Sequence, residues 1–212
     1  HNDLGMATAN TIAAIEAGIE VASRFAPATD VFGTGEMGIG NTTPSAAIGA
    51  VLCGTELDKM VGYGTGVDTE GLARKRDAIA RGIAANRPDP TDGLDVLGKV
   101  GGFEIGAIAG CALAGAFHRR PVVIDGFIST AGALIAQVIC PQVTDYLFAG
   151  HCSEESGHRS MLEHLKLDPI LDLGMRLGEG TGAALTIDIV AAACRIVREM
   201  ASFDDAGVSE QL

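Results

Sequence analysis

The eleven residues Gly33-Thr34-Gly35-Glu36-Met37-Gly38-Ile39-Gly40-Asn41-Thr42-Thr43 constrain this chain more than any other stretch. They form a glycine-rich turn between a short apolar run, Asp30-Val31-Phe32, which reads as a strand, and residues 44–52, which have helical periodicity with Pro44 in the first turn. Strand, glycine turn and helix N-terminus in that order belong to a layered α/β fold. They gather unpaired backbone N–H groups at the positive end of a helix dipole, so the turn reads as an anion cradle suited to a phosphate.

Two templates nearly fit. Gly33-x-Gly35-x-x-Gly38 matches a dinucleotide fingerprint, but that fold needs a second strand ending in an acid about 20 residues on, and residues 55–60 do not read as one. Gly35-x-x-x-x-Gly40-Asn41-Thr42 matches a P-loop, except that Asn41 stands where the phosphate-binding lysine belongs. What survives is a less charged group such as a phosphomonoester, held by backbone N–H groups between Gly38 and Thr42, with Gly40 and Asn41 in that stretch. Glu36 is the anomaly. A carboxylate repels a phosphate, so Glu36 either accepts a hydrogen bond from a sugar hydroxyl or orients the loop.

Composition narrows the classes. With 47% hydrophobic residues, 29 glycines and no tryptophan, the chain favours closely packed helices on a parallel sheet over an aromatic-rich sandwich. A formal charge of −12 argues against a nucleic-acid surface. The dense basic run Arg74-Lys75-Arg76 falls in a helical segment, either as a solvated face or with one member reaching a phosphate. Five cysteines without a CxxC pair read as reduced core residues of a cytoplasmic protein. His151, Cys152, His158 and His164 match no familiar zinc spacing, so neither a metal nor a cofactor is expected. Gly, Glu and Arg interrupt every apolar run before the roughly 20 residues that a membrane crossing needs.

Along the chain, helices are expected at 8–24, 44–53, 68–85 (capped by Asp68), 101–117, 126–139, in the region of Met161 to Leu165, and from Thr181 to about 197, with a loop at 86–93. Strands are expected at 30–33, 59–63, 121–125 and 146–149, and a polar loop carrying Ser153 at 150–159. The expectation is an α/β fold, a three-layer α/β/α arrangement with a mostly parallel, Rossmann-like sheet. Its ligand cleft should lie at the carboxyl ends of the strands. Asp125 ends an apolar strand and is placed either to hold a hydroxyl or to cap the next helix. Glu179, between Gly178 and Gly180 and flanked by apolar residues, reads as a partly desolvated carboxyl able to act as a general base.

The runs GEMGIGNTT, DGFISTAGAL, EESGHRSMLEHL and LDLGMRLGEGTGAAL, with the opening Asn2-Asp3-Leu4-Gly5-Met6, resemble the nicotinate-nucleotide:dimethylbenzimidazole phosphoribosyltransferases of cobalamin lower-ligand assembly. The resemblance implies transfer of phosphoribose from nicotinate mononucleotide to a benzimidazole, with Glu179 as the base. It also implies substrate contacts at Glu36, Gly38, Gly40, Asn41, Lys75, Asp125, Ser153, Leu177 and Gly178. A homodimer and small-molecule partners are implied, with residues 1–200 as a large domain and 201–212 as a tail left from a small one. The family carries a further N-terminal portion, which this chain does not contain. Two other readings stand beside it: a nucleotide-binding or assembly module without turnover, and a dinucleotide-dependent oxidoreductase.

Overall fold

A computed structural model describes residues 7–64 and 66–207. The opening at 2–6 and Thr65 of the second glycine turn lie outside the described residues. The chain runs α1 (Ala7–Phe25), β1 (Phe32–Gly33), α2 (Thr42–Cys53), the single turn α3 (Leu57–Met60), α4 (Thr69–Asn86), α5 (Gly93–Val100), α6 (Phe103–Phe117) and β2 (Val122–Ile124). It continues through α7 (Phe127–Ile139), β3 (Leu147–Ala149), β4 (His151–Ser153), α8 (His158–Leu165), β5 (Leu171–Met175) and α9 (Thr181–Glu199).

Three strands form one sheet in the order β1-β2-β3, and β4 pairs with β5; both sheets are parallel. Parallel neighbours require crossovers, and helices supply them. The central strand is buried at all three positions, as an apolar run covered on both faces should be. Its side chains alternate. Val122 fills the space beside Gly115 of α6, while Val123 faces Gly150, which in turn lies against the Ala183 backbone of α9. Gly33, in register with Val123, leaves room for Ile187 and Ala183, which a Cβ there would approach at 3.1 and 3.4 Å. Helices α6 and α7 therefore cover one face and α9 the other, which makes the expected three layers. Ile48, Val96, Ile105, Ile124, Leu134 and Met161 meet in the core between α2, α5, α6, α7 and α8.

The helix at 103–117 packs backbone to backbone on α1. A Cβ on Gly18 would overlap the Ala107 carbonyl, and one on Gly110 the Ile15 carbonyl. Glycine spacing in this segment is thus the means of close approach.

The structure departs from expectation in three places. Residues 59–63 are not a strand: Met60 and Val61 close a helical turn onto Glu56 and Leu57, which buries the Met60 side chain. That turn also occupies the place where a dinucleotide fold needs its acid-ending second strand. Helix α5 is separate from α6, because the Asp92 side chain accepts hydrogen bonds from Leu94 and Asp95 N–H and starts a helix inside what reads as loop and linker. The polar loop at 150–159 begins as β4, a strand too short and too polar to read, paired to β5 through an irregular register between His151↔Leu171 and Ser153↔Met175.

Gly18→Ala should destabilise the domain by about 1–3 kcal/mol or more through overpacking. Gly82→Ala, in α4 where a Cβ meets nothing within 4 Å, should stabilise it by about 0.5–1 kcal/mol. Urea unfolding midpoints measured on both variants check the pair.

Candidate active site

A cleft of about 600 Å³ opens at the carboxyl ends of the strands, lined by Glu36, Asp125, His151, Ser153, Leu177 and Glu179 among others. Glu36, Asp125, Leu177 and Glu179 are brought there by connections that follow strands, and His151 and Ser153 by β4 itself. Thr34 extends the β1 ladder by donating its N–H to the Val123 carbonyl, and the turn that follows delivers Glu36.

The turn folds around its own carboxylate. Glu36 Oε2 accepts hydrogen bonds from Gly38 N–H at 2.5 Å and from Asn41 Nδ2 at 2.6 Å. This amends the expected cradle, since the Gly38 N–H is engaged by an internal anion. Asn41 sits buried behind Glu36 and orients it, while Gly40 is exposed at φ +85° and does not line the cleft. Burial raises the Glu36 carboxyl above the usual carboxylate range, against the two hydrogen bonds that favour its ionised form.

Asp125 is 2% exposed and uses both carboxylate oxygens. Oδ2 accepts from Gly180 N–H at 3.1 Å and Oδ1 from Ala183 N–H at 3.0 Å. It therefore caps α9 and not the helix that follows it in sequence, whose cap position is Gly126. This cap fixes the base of the turn carrying Glu179. Gly178, Glu179 and Gly180 all have positive φ, at 78°, 58° and 75°. The Glu179 N–H donates to the Glu36 carbonyl at 2.7 Å, and a Cβ on Gly35 would stand 2.5 Å from the Gly180 Cα. The two glycine turns thus interlock and set both carboxylates on one cleft. The Glu179 side chain is exposed and not desolvated as its apolar flanks suggested, because Leu177 beside it also faces outward at 65% exposure.

Of the basic run, one member turns inward. Lys75 Nζ donates to Thr42 Oγ1 at 2.9 Å and to the Gly62 carbonyl at 3.2 Å, placing a cation at the start of α2. Burial lowers its pKa from the usual lysine value, and Glu155 opposes that shift. Arg74 pairs with Glu70 at 3.5 Å and Arg76 with Asp58 at 3.1 Å. A second hollow, lined by Gly62, Gly64, Glu155, Ser156 and Arg176, shares Gly64, Glu155 and Arg176 with the main cleft. The cleft accordingly has carboxylates at Glu36 and Glu179 and the cation Arg176 beside Glu155, while Lys75 lies behind the lining residues Thr42 and Gly64.

Ser153 lines the cleft and is held from behind. Its N–H donates to His158 Nδ1 at 2.8 Å, so Nε2 carries the proton and donates to Thr130 Oγ1 at 2.8 Å; that hydroxyl donates to the Gly126 carbonyl. His158 is fully buried, and burial brings its pKa down to about 3. Sequence reasoning weighed His151 only as a metal ligand and passed over Arg176. The signals were slight: a polar residue two places beyond an apolar strand, and an arginine inside the LDLGMRLGEGTG run.

A parallel α/β domain with its cleft at the carboxyl strand ends, lined by carboxylates and an arginine, defines the class of α/β ligand-binding domains. The chain belongs to the phosphoribosyltransferase family DBI_PRT, whose model matches residues 2–208. It is 59% identical over 97% of its length to the nicotinate-nucleotide–dimethylbenzimidazole phosphoribosyltransferase of Desulforudis audaxviator (strain MP104C), covering 58% of that protein. It is 56% identical, again over 97% of its length, to the protein of the same name from Dehalococcoides mccartyi (strain ATCC BAA-2100 / JCM 16839 / KCTC 5957 / BAV1), covering 59%. The crystal structure of CobT from Thermus thermophilus superposes with a TM-score of 0.89 at 49% identity, over 95% of this chain and 60% of that one. The chain thus spans somewhat more than half the length of these relatives.

The raised Glu36 value gives a pH dependence with a definite sign. Folding favours the protonated carboxyl, so this contribution to stability is complete below the unfolded value of 4.5 and is lost as pH rises through the higher folded value. Glu36→Gln keeps an oxygen acceptor and does not titrate. The melting temperature of the native chain should therefore fall relative to that variant between pH 4.5 and neutrality, read from thermal melts at stepped pH.

Proposed function

We propose that the chain carries the phosphoribosyl-transfer site that moves phosphoribose from nicotinate mononucleotide to 5,6-dimethylbenzimidazole, giving α-ribazole 5′-phosphate and nicotinate. The observation that carries this reading is the interlocked pair of turns, which sets the Glu179 and Glu36 carboxylates on one cleft that Arg176 also lines, with Lys75 behind its Thr42 and Gly64 wall. The names of the relatives support the substrates.

In this reading the phosphate lies beside Arg176 and the Thr42 and Gly64 wall that Lys75 backs, where the two cations offset the Glu155 carboxylate. Glu179 removes the azole N–H proton while the other ring nitrogen attacks the ribose anomeric carbon. The bond to nicotinate breaks with its electron pair going to the pyridinium nitrogen. Because that leaving group is already cationic, its departure needs no acid, which fits a cleft with the Glu179 base at its rim. Glu36, with its raised proton affinity, faces the acceptor, and Asp125, Ser153, Leu177 and the Gly38 and Gly178 backbones line the sugar and base.

The free cysteines support a cytoplasmic location. No described helix is long and apolar enough to cross a membrane. Residues 1–200 act as the large domain and 201–212 as a tail. Apolar side chains exposed along α1 and α9, among them Phe25 at 56% and Val197 at 85%, support a surface covered in a homodimer. The exposure of Glu179 favours one second reading, a module that binds the nucleotide without turning it over.

Glu179→Gln should lower α-ribazole phosphate formation by about 10²–10⁴-fold. Nicotinate mononucleotide affinity should be nearly unchanged in that variant. Lys75→Ala should do the converse and weaken binding about 10-fold or more. Nicotinate release followed by chromatography, beside calorimetric titration, checks both. Normal turnover in Glu179→Gln would place the base elsewhere, and binding without nicotinate release in the native chain would favour the second reading.

A further inference from the structure

His151 lies on the floor of the cleft, 2% exposed, and neither ring nitrogen completes a well-aligned hydrogen bond, the Asp125 backbone being its only near polar contact besides the Asp125 carboxylate among the described residues. The Asp125 Oδ1 atom is 3.8 Å from Nδ1, beyond hydrogen-bond length. The ring is wedged between the starts of α7 and α9. A Cβ on Gly182 would overlap its Nδ1, and one on Gly126 would stand 3.6 Å from Nε2, 3.2 Å from Cε1 and 3.8 Å from the Ser153 Cβ. Buried polar atoms are paired in native proteins with few exceptions, and an exception calls for a cause such as a catalytic role or a bound group that completes the pairing.

The chemistry around the ring selects that ligand. Burial lowers the imidazole pKa, against the Asp125 carboxylate and a backbone contact to Asp125, so the ring is neutral at physiological pH and carries one N–H and one lone pair. The Asp125 oxygens each accept one backbone N–H and keep a further lone pair. An anion at this position would face the Asp125 carboxylate and be repelled. A hydroxyl both donates and accepts, so it satisfies the acid and the imidazole together.

We infer that His151 reads a sugar hydroxyl, donating to its oxygen while Asp125 accepts its proton, and so makes the site selective for a ribosyl over a deoxyribosyl phosphate. The inference rests on the phosphoribosyl reading of the cleft, but it concerns the sugar and not the base. It adds to the cleft a specificity residue that acts by direct contact. Gly182 is then required as a glycine because a Cβ there would overlap the ring, and a Cβ on Gly126 would crowd it.

Calorimetric titration of the chain with ribose 5-phosphate and 2-deoxyribose 5-phosphate tests it. The native chain should prefer the ribose compound by about 10-fold or more, the size of one buried hydrogen bond. His151→Phe keeps a ring and removes both nitrogens; it should bind ribose 5-phosphate no better than the deoxy compound, with deoxy affinity unchanged. His151→Gln restores a donor and should recover part of the preference. A purely structural ring gives the reverse order, with Phe retaining the preference and Gln losing it, and that result overturns the inference. Absence of any preference in the native chain overturns it too. Should His151→Phe fail to fold, Gly126→Ala takes its place: its methyl crowds the imidazole and Ser153 and must reduce the preference, and an unchanged preference overturns the inference. A native chain that prefers ribose 5-phosphate but does not bind nicotinate mononucleotide would sink the proposed reaction and leave the hydroxyl inference standing.

Discussion

The site depends on one carboxylate. Asp125 ends the central strand and binds the backbone N–H groups of Gly180 and Ala183, residues 55 and 58 positions away, so the positive end of α9 is anchored to the sheet. A buried charge is tolerable only when it is hydrogen-bonded, and here the helix dipole and two N–H groups provide that compensation. Everything at the cleft rim follows from this anchor. The Gly178-Glu179-Gly180 turn has nowhere to go but against the Gly35-Glu36 turn, and the two carboxylates arrive on one cleft as a consequence of backbone geometry.

Close backbone approach is the second constraint. Gly35 against Gly180, and Gly18 and Gly110 at the junction of α1 and α6, leave no space for a Cβ, so the layers sit at distances only glycine permits. In the turn at 178–180 the requirement is conformational as well as steric. Three successive positive φ values hold Glu179 in the left-handed region, a state that a non-glycine residue adopts at a cost and that the flanking hydrogen bonds sustain.

Electrostatics then divides the cleft. Glu36 supplies the carboxylate around which its own turn closes, while Arg176 lines the cleft beside Glu155 and Lys75 lies behind Thr42. Behind the cleft, His158 ties Ser153 to Thr130 and through it to Gly126, so the floor is held by neutral hydrogen bonds and not by charge.

Local pattern made much of this legible in the sequence. The apolar run ending in Asp125, the glycine turn at 33–43 and the Asp68 cap are written in consecutive residues, and periodicity located most of the helices. The same is true of Glu36, Asp125 and Glu179 as residues of interest, since each interrupts or ends a pattern that physics would otherwise leave apolar or solvated, whereas Lys75 within its basic run and Ser153 within its polar loop stand out only through the family resemblance. Partners could not be read that way. That Asp125 caps a helix far along the chain, that Glu36 fills its own turn, that 151–153 and 171–175 pair as strands, and that His151 lies wedged between two helix starts are all contacts between segments distant in sequence. Single-chain periodicity records which face a residue presents, and only the packed backbone decides what that face meets.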